Sequence, residues 1–152
     1  MLGSKSDLPI AVKCTKVLDQ FDIEYQLRVA SAHRSPAFVE SIVKDALSEG
    51  NQVFIAMAGL AAALPGAIAA MTIKPVIGVP CGGKVPFDSL LSIAQLPPGV
   101  PAATVGVDRG ENAAWLALQI LGISDAGIAA ALADEKIAAA RRVEAMDREI
   151  QG

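Results

Sequence analysis

The sequence predicts a three-layer α/β domain with a parallel sheet between helices, and three observations carry that expectation. Helical and strand patterns alternate along 152 residues with short connections, as parallel strands joined by right-handed crossovers require. Hydrophobic residues make up 53% of the chain and mean hydropathy is +0.45, which suits strands buried on both faces and further surface covered between subunits. Small residues and hydroxyls recur where strands give way to helices, the edge at which open parallel sheets take ligands. The length fits one domain, residues 1–152, with its core in 1–122.

Taken in order, Asp7 to Phe21 has helical spacing through Ile10, Val17 and Leu18, and Ile23 to Ala30 alternates as a strand. Ser35 to Gly50 reads as a helix with a serine cap, Pro36 at its first position and a closing glycine. A strand is expected at Val53 to Met57, a helix from about Ala61 to Met71, a strand at Pro75 to Val79 and a short helix around Asp88 to Gln95. Ala102 to Val107 reads as the last strand and Glu111 to Leu121 as the helix after it. Asp125 to Ile150 is one long helix whose apolar spacing drifts among charged positions, so part of it is expected to reach a neighbouring subunit.

Val53 to Ile73 runs 21 residues without a charge and meets the length of a membrane span. Its β-branched and aromatic start, Gly59 and the Leu64-Pro65-Gly66 interruption instead suggest a buried strand, a glycine turn and a small-residue helix. A net charge of −3 argues against general nucleic-acid binding, which needs a basic face. Cys14 and Cys81 lack metal or redox spacing, and no signal peptide is legible, so a reduced cytoplasmic setting is the default.

The only histidine, His33, lies in Ser31-Ala32-His33-Arg34-Ser35-Pro36. Imidazole is the one side chain that donates and accepts protons near neutral pH without help from its surroundings, which makes this stretch the candidate for proton chemistry. Two loops suit an anion. Gly3-Ser4-Lys5-Ser6 leads into a helix whose free N–H groups favour phosphate, although serine there is ordinarily a cap. Arg34 is either a surface arginine or a planar donor fork for phosphate, and Asp7 either a cap or an acceptor for ribose hydroxyls. Neither a P-loop nor a GxGxxG pattern is present, so nucleoside triphosphates and dinucleotides gain little support.

Gly3-Ser4-Lys5-Ser6-Asp7, Ser31 to Pro36, and Ala58-Gly59-Leu60-Ala61-Ala62-Ala63-Leu64-Pro65-Gly66 resemble the N5-carboxyaminoimidazole ribonucleotide mutases of purine biosynthesis. Lys74 to Pro80, Asp88 to Ser92, Gln95 to Pro101 and Asn112 to Ala114 follow the same family's order, so the resemblance extends to about Gly122. It implies a flavodoxin-like fold, a homo-octamer, a small-molecule ribotide substrate, and no metal, ATP or organic cofactor. Ser4, Ser6, Ser31 and Arg34 would bind the ribotide phosphate and nearby groups, and Asp7 the ribose hydroxyls. Ala58, Gly59 and Leu64 would offer backbone contacts to base and carboxylate, with His33 as the acid/base.

Three departures stand out. Ala63 occupies a position where the family pattern has a second histidine. Only Met1 and Leu2 precede the Gly3 loop where relatives have a hydrophobic strand, so the first strand is expected to be missing or truncated, through a misplaced start or a shortened chain. Pro86-Phe87 replaces a usual glycine near the site, and Leu96 replaces a methionine of similar volume. Two other functions are open: direct carboxylation of aminoimidazole ribonucleotide by CO2, whose enzymes differ in the loop at Ala58 to Gly66, and a flavodoxin-like module binding flavin or another ribotide without catalysis.

Overall fold

Alternating hydrophobicity and short βα connections produce the expected layers. The computed structural model describes residues 1–152, which resolve into two compact units, Met1–Ala117 and Leu118–Gly152. In the first unit a single turn of 3-10 helix, Lys5–Asp7, leads into α1 (Leu8–Gln20), followed by α2 (Pro36–Ser48), β1 (Phe54–Gly59), α3 (Leu64–Ala69), β2 (Val76–Cys81), α4 (Pro86–Ala94) and β3 (Ala103–Thr104). The next helix, α5 (Gly110–Leu121), begins in this unit. The strands form one parallel sheet in the order β1-β2-β3, with Gly59 opposite Cys81 and Gly78 opposite Thr104.

Strand residues alternate between the two covered faces. On one, Ala56 and Ala58 join Val39, Ile42, Val43, Leu64, Ile68 and Ile93 in a buried cluster under α2, α3 and α4. On the other side Gly110, at the start of α5, sits so close to the Ile10 carbonyl of α1 that a Cβ would collide with that backbone oxygen. Phe21 and Trp115 meet edge to face there, with ring centroids 5.3 Å apart. Gly78 of β2 is likewise required, since a side chain would run into Ile93.

The Ile23 to Ala30 segment is a correction to the expected strand. It is extended but joins the sheet through isolated bridges alone: Leu2 pairs in parallel with Val29 on one side and Met57 on the other. Leu2 donates to the Arg28 carbonyl (2.8 Å) and accepts from Ala30 (2.9 Å), while Gly3 donates to Met57 (2.9 Å). A ladder needs partners along its length. Leu2 lies between Val29 and Met57 in the sheet, and Glu24 to Leu27 are exposed. The last strand is also shorter than Ala102 to Val107. Val105 still donates to Gly78, but the chain then turns at Val107 and Asp108, closed by the Arg109 amide donating to the Gly106 carbonyl at 3.1 Å, which ends regular pairing.

Pro36 opens α2 as expected, but the Ser35 hydroxyl does not cap it. That hydroxyl accepts from the Ser31 amide and donates to the Ser31 carbonyl, each at 3.2 Å, closing the His33 turn instead. No helix is long and apolar enough to cross a membrane; Val53 to Ile73 divides into β1, a turn and α3.

In the second unit, α6 (Ala126–Gln151) is a 26-residue helix capped by Asp125, whose carboxylate accepts from the Gly127 and Ile128 amides at 2.8 and 3.0 Å. Glu135 and Arg142 pair along it. It buries no residue, and Ile137, Val143, Met146 and Ile150 are exposed.

Candidate active site

The carboxyl edge of the sheet fixes the order of the loops. Bridges and pairings run from Val29 through Leu2 and Met57 to β2 and β3. The Ser31–Arg34 turn therefore neighbours the Gly3–Asp7 loop. Next come the Gly59–Ala63 turn, the Cys81–Gly83 loop and finally Asp108. All five line one cleft of ≈ 690 Å³. Every residue singled out from sequence faces it: Ser4, Ser6, Asp7, Ser31, His33, Arg34, Ala58, Gly59 and Leu64.

At one end a compact polar network is built from short hydroxyls. The Ser6 amide donates to the Ser4 hydroxyl at 3.3 Å, and the Ser4 and Ser6 hydroxyls lie 2.9 Å apart. Asp7, the one buried carboxylate of the chain, accepts from the Ser4 amide (3.1 Å) and the Ser6 hydroxyl (3.2 Å). Ser4 thus caps the turn, and its cluster stands at the start of the helical run, where free amides and the helix dipole favour an anion. Arg34 reaches the same end. Its amide and Nε donate to the Ser31 hydroxyl at 3.2 and 3.3 Å, and its terminal nitrogen donates to the Gly3 carbonyl at 3.2 Å. His33 is exposed on the turn between them.

The middle of the cleft is apolar. Ala58 and Leu64 are buried, Gly59 pairs with Cys81, and Ala61 to Ala63 complete the wall. Leu60 has φ +55 and is exposed, which opens the tight turn from β1 toward α3. Ala63 sits at the N-cap of α3 with no cap hydrogen bond, so no imidazole faces the cleft there.

Near Asp7 the cleft also takes in residues that lie between the expected strands and helices and carry no motif. Cys81 is buried; burial first, then the Asp7 and Asp108 carboxylates, push its thiol up from 9.0 to about 12, so it stays neutral in the physiological range. Gly82 donates to Asp108 Oδ1 at 2.8 Å. The recurrence of Cys81-Gly82-Gly83 and Asp108 at strand ends was the available signal, but the pairing between the two loops is not readable from spacing.

A parallel sheet between helices, with one cleft of hydroxyls, a guanidinium and an imidazole at its carboxyl edge, defines a flavodoxin-like ligand-binding α/β protein. The chain belongs to the AIR carboxylase family, whose pattern it matches over residues 1–142. It is 51% identical over 152 residues to the N5-carboxyaminoimidazole ribonucleotide mutase of Methanocaldococcus jannaschii, covering 99% of this chain and 95% of that one. Identity to the phosphoribosylaminoimidazole carboxylase of Candida glabrata is 47% over 125 residues, 81% of this chain and 22% of that longer one. A crystal structure of Treponema denticola PurE superposes with a TM-score of 0.86 at 29% identity, over 97% of this chain and 94% of that one.

Proposed function

We propose that this chain is an isomerase of purine biosynthesis. It moves a carboxylate from the exocyclic nitrogen of N5-carboxyaminoimidazole ribonucleotide to ring carbon 4, giving 4-carboxy-5-aminoimidazole ribonucleotide. One observation carries this: the imidazole, the guanidinium and the hydroxyl cluster line a single cleft with an apolar middle. The Methanocaldococcus mutase, similar over nearly all of both chains, supports it.

In this mechanism Ser4, Ser6, Ser31 and Arg34 bind the ribotide phosphate and nearby groups, and Asp7 binds the ribose hydroxyls. The backbone at Ala58, Gly59 and Leu64 meets base and carboxylate. The N–carboxylate bond breaks, releasing CO2, and His33 delivers a proton to the departing nitrogen. Ring carbon 4 then attacks CO2, and the proton it sheds returns to His33. Protons balance, so one titrating group suffices and no cofactor is called for. The alanine and glycine wall excludes water and keeps CO2 close to the carbon.

The chain acts as one mutase domain of a cytoplasmic homo-octamer, with α6 reaching a neighbouring subunit. The exposed apolar residues Ile137, Val143, Met146 and Ile150 on a helix that buries none support that contact. The test is to supply each carboxylated ribotide alone and follow the other by NMR. Conversion in both directions is expected, and its absence overturns the proposal. The Candida relative favours a second function, direct carboxylation. Product formed from aminoimidazole ribonucleotide and CO2 at a rate matching the carboxylated substrate would favour it.

A further inference from the structure

We infer that Asp108 is a positioning residue of the cleft, acting through the Cys81–Gly82 peptide that forms its wall at the end of β2. The ligand's identity rests on the mutase proposal, whereas the geometry does not.

Asp108 lies in the Gly106–Arg109 turn beyond β3, with φ +58. A left-handed conformation is uncommon outside glycine and persists where the surroundings over-determine it. Here they do. The Asp108 amide donates to the Pro80 carbonyl at 2.9 Å, and its Oδ1 accepts from the Gly82 amide at 2.8 Å. Its carbonyl accepts from Lys13 Nζ at 3.3 Å, which ties it to α1. One residue therefore brackets Cys81 on both sides.

The same peptide is held from the opposite direction. Ser89, fully buried on α4, holds its hydroxyl 3.0 Å from the Cys81 carbonyl and 3.0 Å from the Pro86 carbonyl, its one proton shared between the two acceptors. The C=O and the N–H of the Cys81–Gly82 bond thus each have a side-chain partner. Glycine at 82 follows from the same contact, because a Cβ there would lie 2.8 Å from Asp108 Oδ2. Beyond this point Gly83 turns at φ +53 with open space around it. Cys81, Gly82, Gly83 and Asp108 all line the cleft that holds His33. The Gly82 amide occupies Asp108 Oδ1, so what this carboxylate does in the fold is orient the wall of the cleft.

Two substitutions separate orientation from charge. Asp108→Gly relieves the φ constraint and removes the acceptor, whereas Asp108→Asn keeps an acceptor oxygen and tolerates the left-handed region. Asp108→Gly is expected to speed hydrogen exchange at the Gly82 amide and to raise KM for the carboxylated ribotide about tenfold, with the pH profile of kcat unchanged. Asp108→Asn should stay within about threefold of the parent. Parental KM in Asp108→Gly, or equal impairment in Asp108→Asn, overturns the inference. Should Asp108→Gly fail to fold, Ser89→Ala releases the other end of the same peptide and must raise KM; an unchanged KM overturns it. Gly82 exchange needs no substrate, so a parent without mutase activity refutes the proposed function while the exchange measurement still decides the role of Asp108.

Discussion

The Arg34 guanidinium donates to the Gly3 carbonyl across 3.2 Å, tying two loops 31 residues apart at one end of the cleft. The Ser31 hydroxyl takes the Nε of the same side chain. Much of the planar fork stays exposed, so donors remain for a ligand phosphate.

Arg34→Ala should therefore raise KM for the ribotide by about tenfold or more, with a smaller effect on kcat. Arg34→Lys should recover only part of the loss, because an ammonium keeps the charge without the fork. Steady-state kinetics check both, and an unchanged KM in Arg34→Ala would remove Arg34 from phosphate binding.

Ala63 leaves His33 as the sole imidazole of the cleft. A one-proton shuttle needs only one such group, so the parent should interconvert the ribotides, and Ala63→His should change the rate by no more than about threefold. An inactive parent made active by Ala63→His would demonstrate a required second imidazole.

Both thiols respond to burial. It is the largest cause raising Cys14 from 9.0 to about 11 and Cys81 from 9.0 to about 12. The folded state holds these protons when the unfolded chain releases them. The stabilisation is thus fully present below pH 9 and is lost progressively as pH rises from 9 toward 12. Denaturation midpoints should fall with pH above 9, and Cys14→Ala with Cys81→Ala should flatten that slope. A parental slope in the double variant would locate the titration elsewhere.

Two glycines differ in what a methyl group would meet. At Gly78 it meets the Cγ2 methyl of the fully buried Ile93, whereas at Gly110 it meets the Ile10 backbone oxygen. Gly78→Ala should cost about 1–3 kcal/mol and recover in part with Ile93→Leu, which lacks the Cγ2 methyl at the point of contact. Gly110→Ala should cost more, about 3 kcal/mol or above. Urea unfolding compares them, and a reversed ranking would show that the helices shift more readily than the side chain.

Local chemistry made much of this legible. Pro36, Gly50 and Asp125 mark helix ends that the structure reproduces within two residues or fewer, because caps and turns are set by neighbouring residues. The nine site residues share a cleft because strand-end loops of a parallel sheet converge on one edge. What spacing could not carry was pairing. Ile23 to Ala30 alternates as a strand should, yet bridges only at Val29. Asp108 was visible as a loop residue, but its bond to Gly82 spans 26 positions and depends on the turn after β3. The Ser35 hydroxyl turned from its helix to Ser31, a choice between two nearby partners that sequence leaves equal.

The most direct test concerns His33. His33→Asn should abolish interconversion of the two carboxylated ribotides in either direction, while calorimetric affinity for 4-carboxy-5-aminoimidazole ribonucleotide stays within about threefold of the parent. Turnover of His33→Asn at the parental rate would contradict a proton shuttle at this residue.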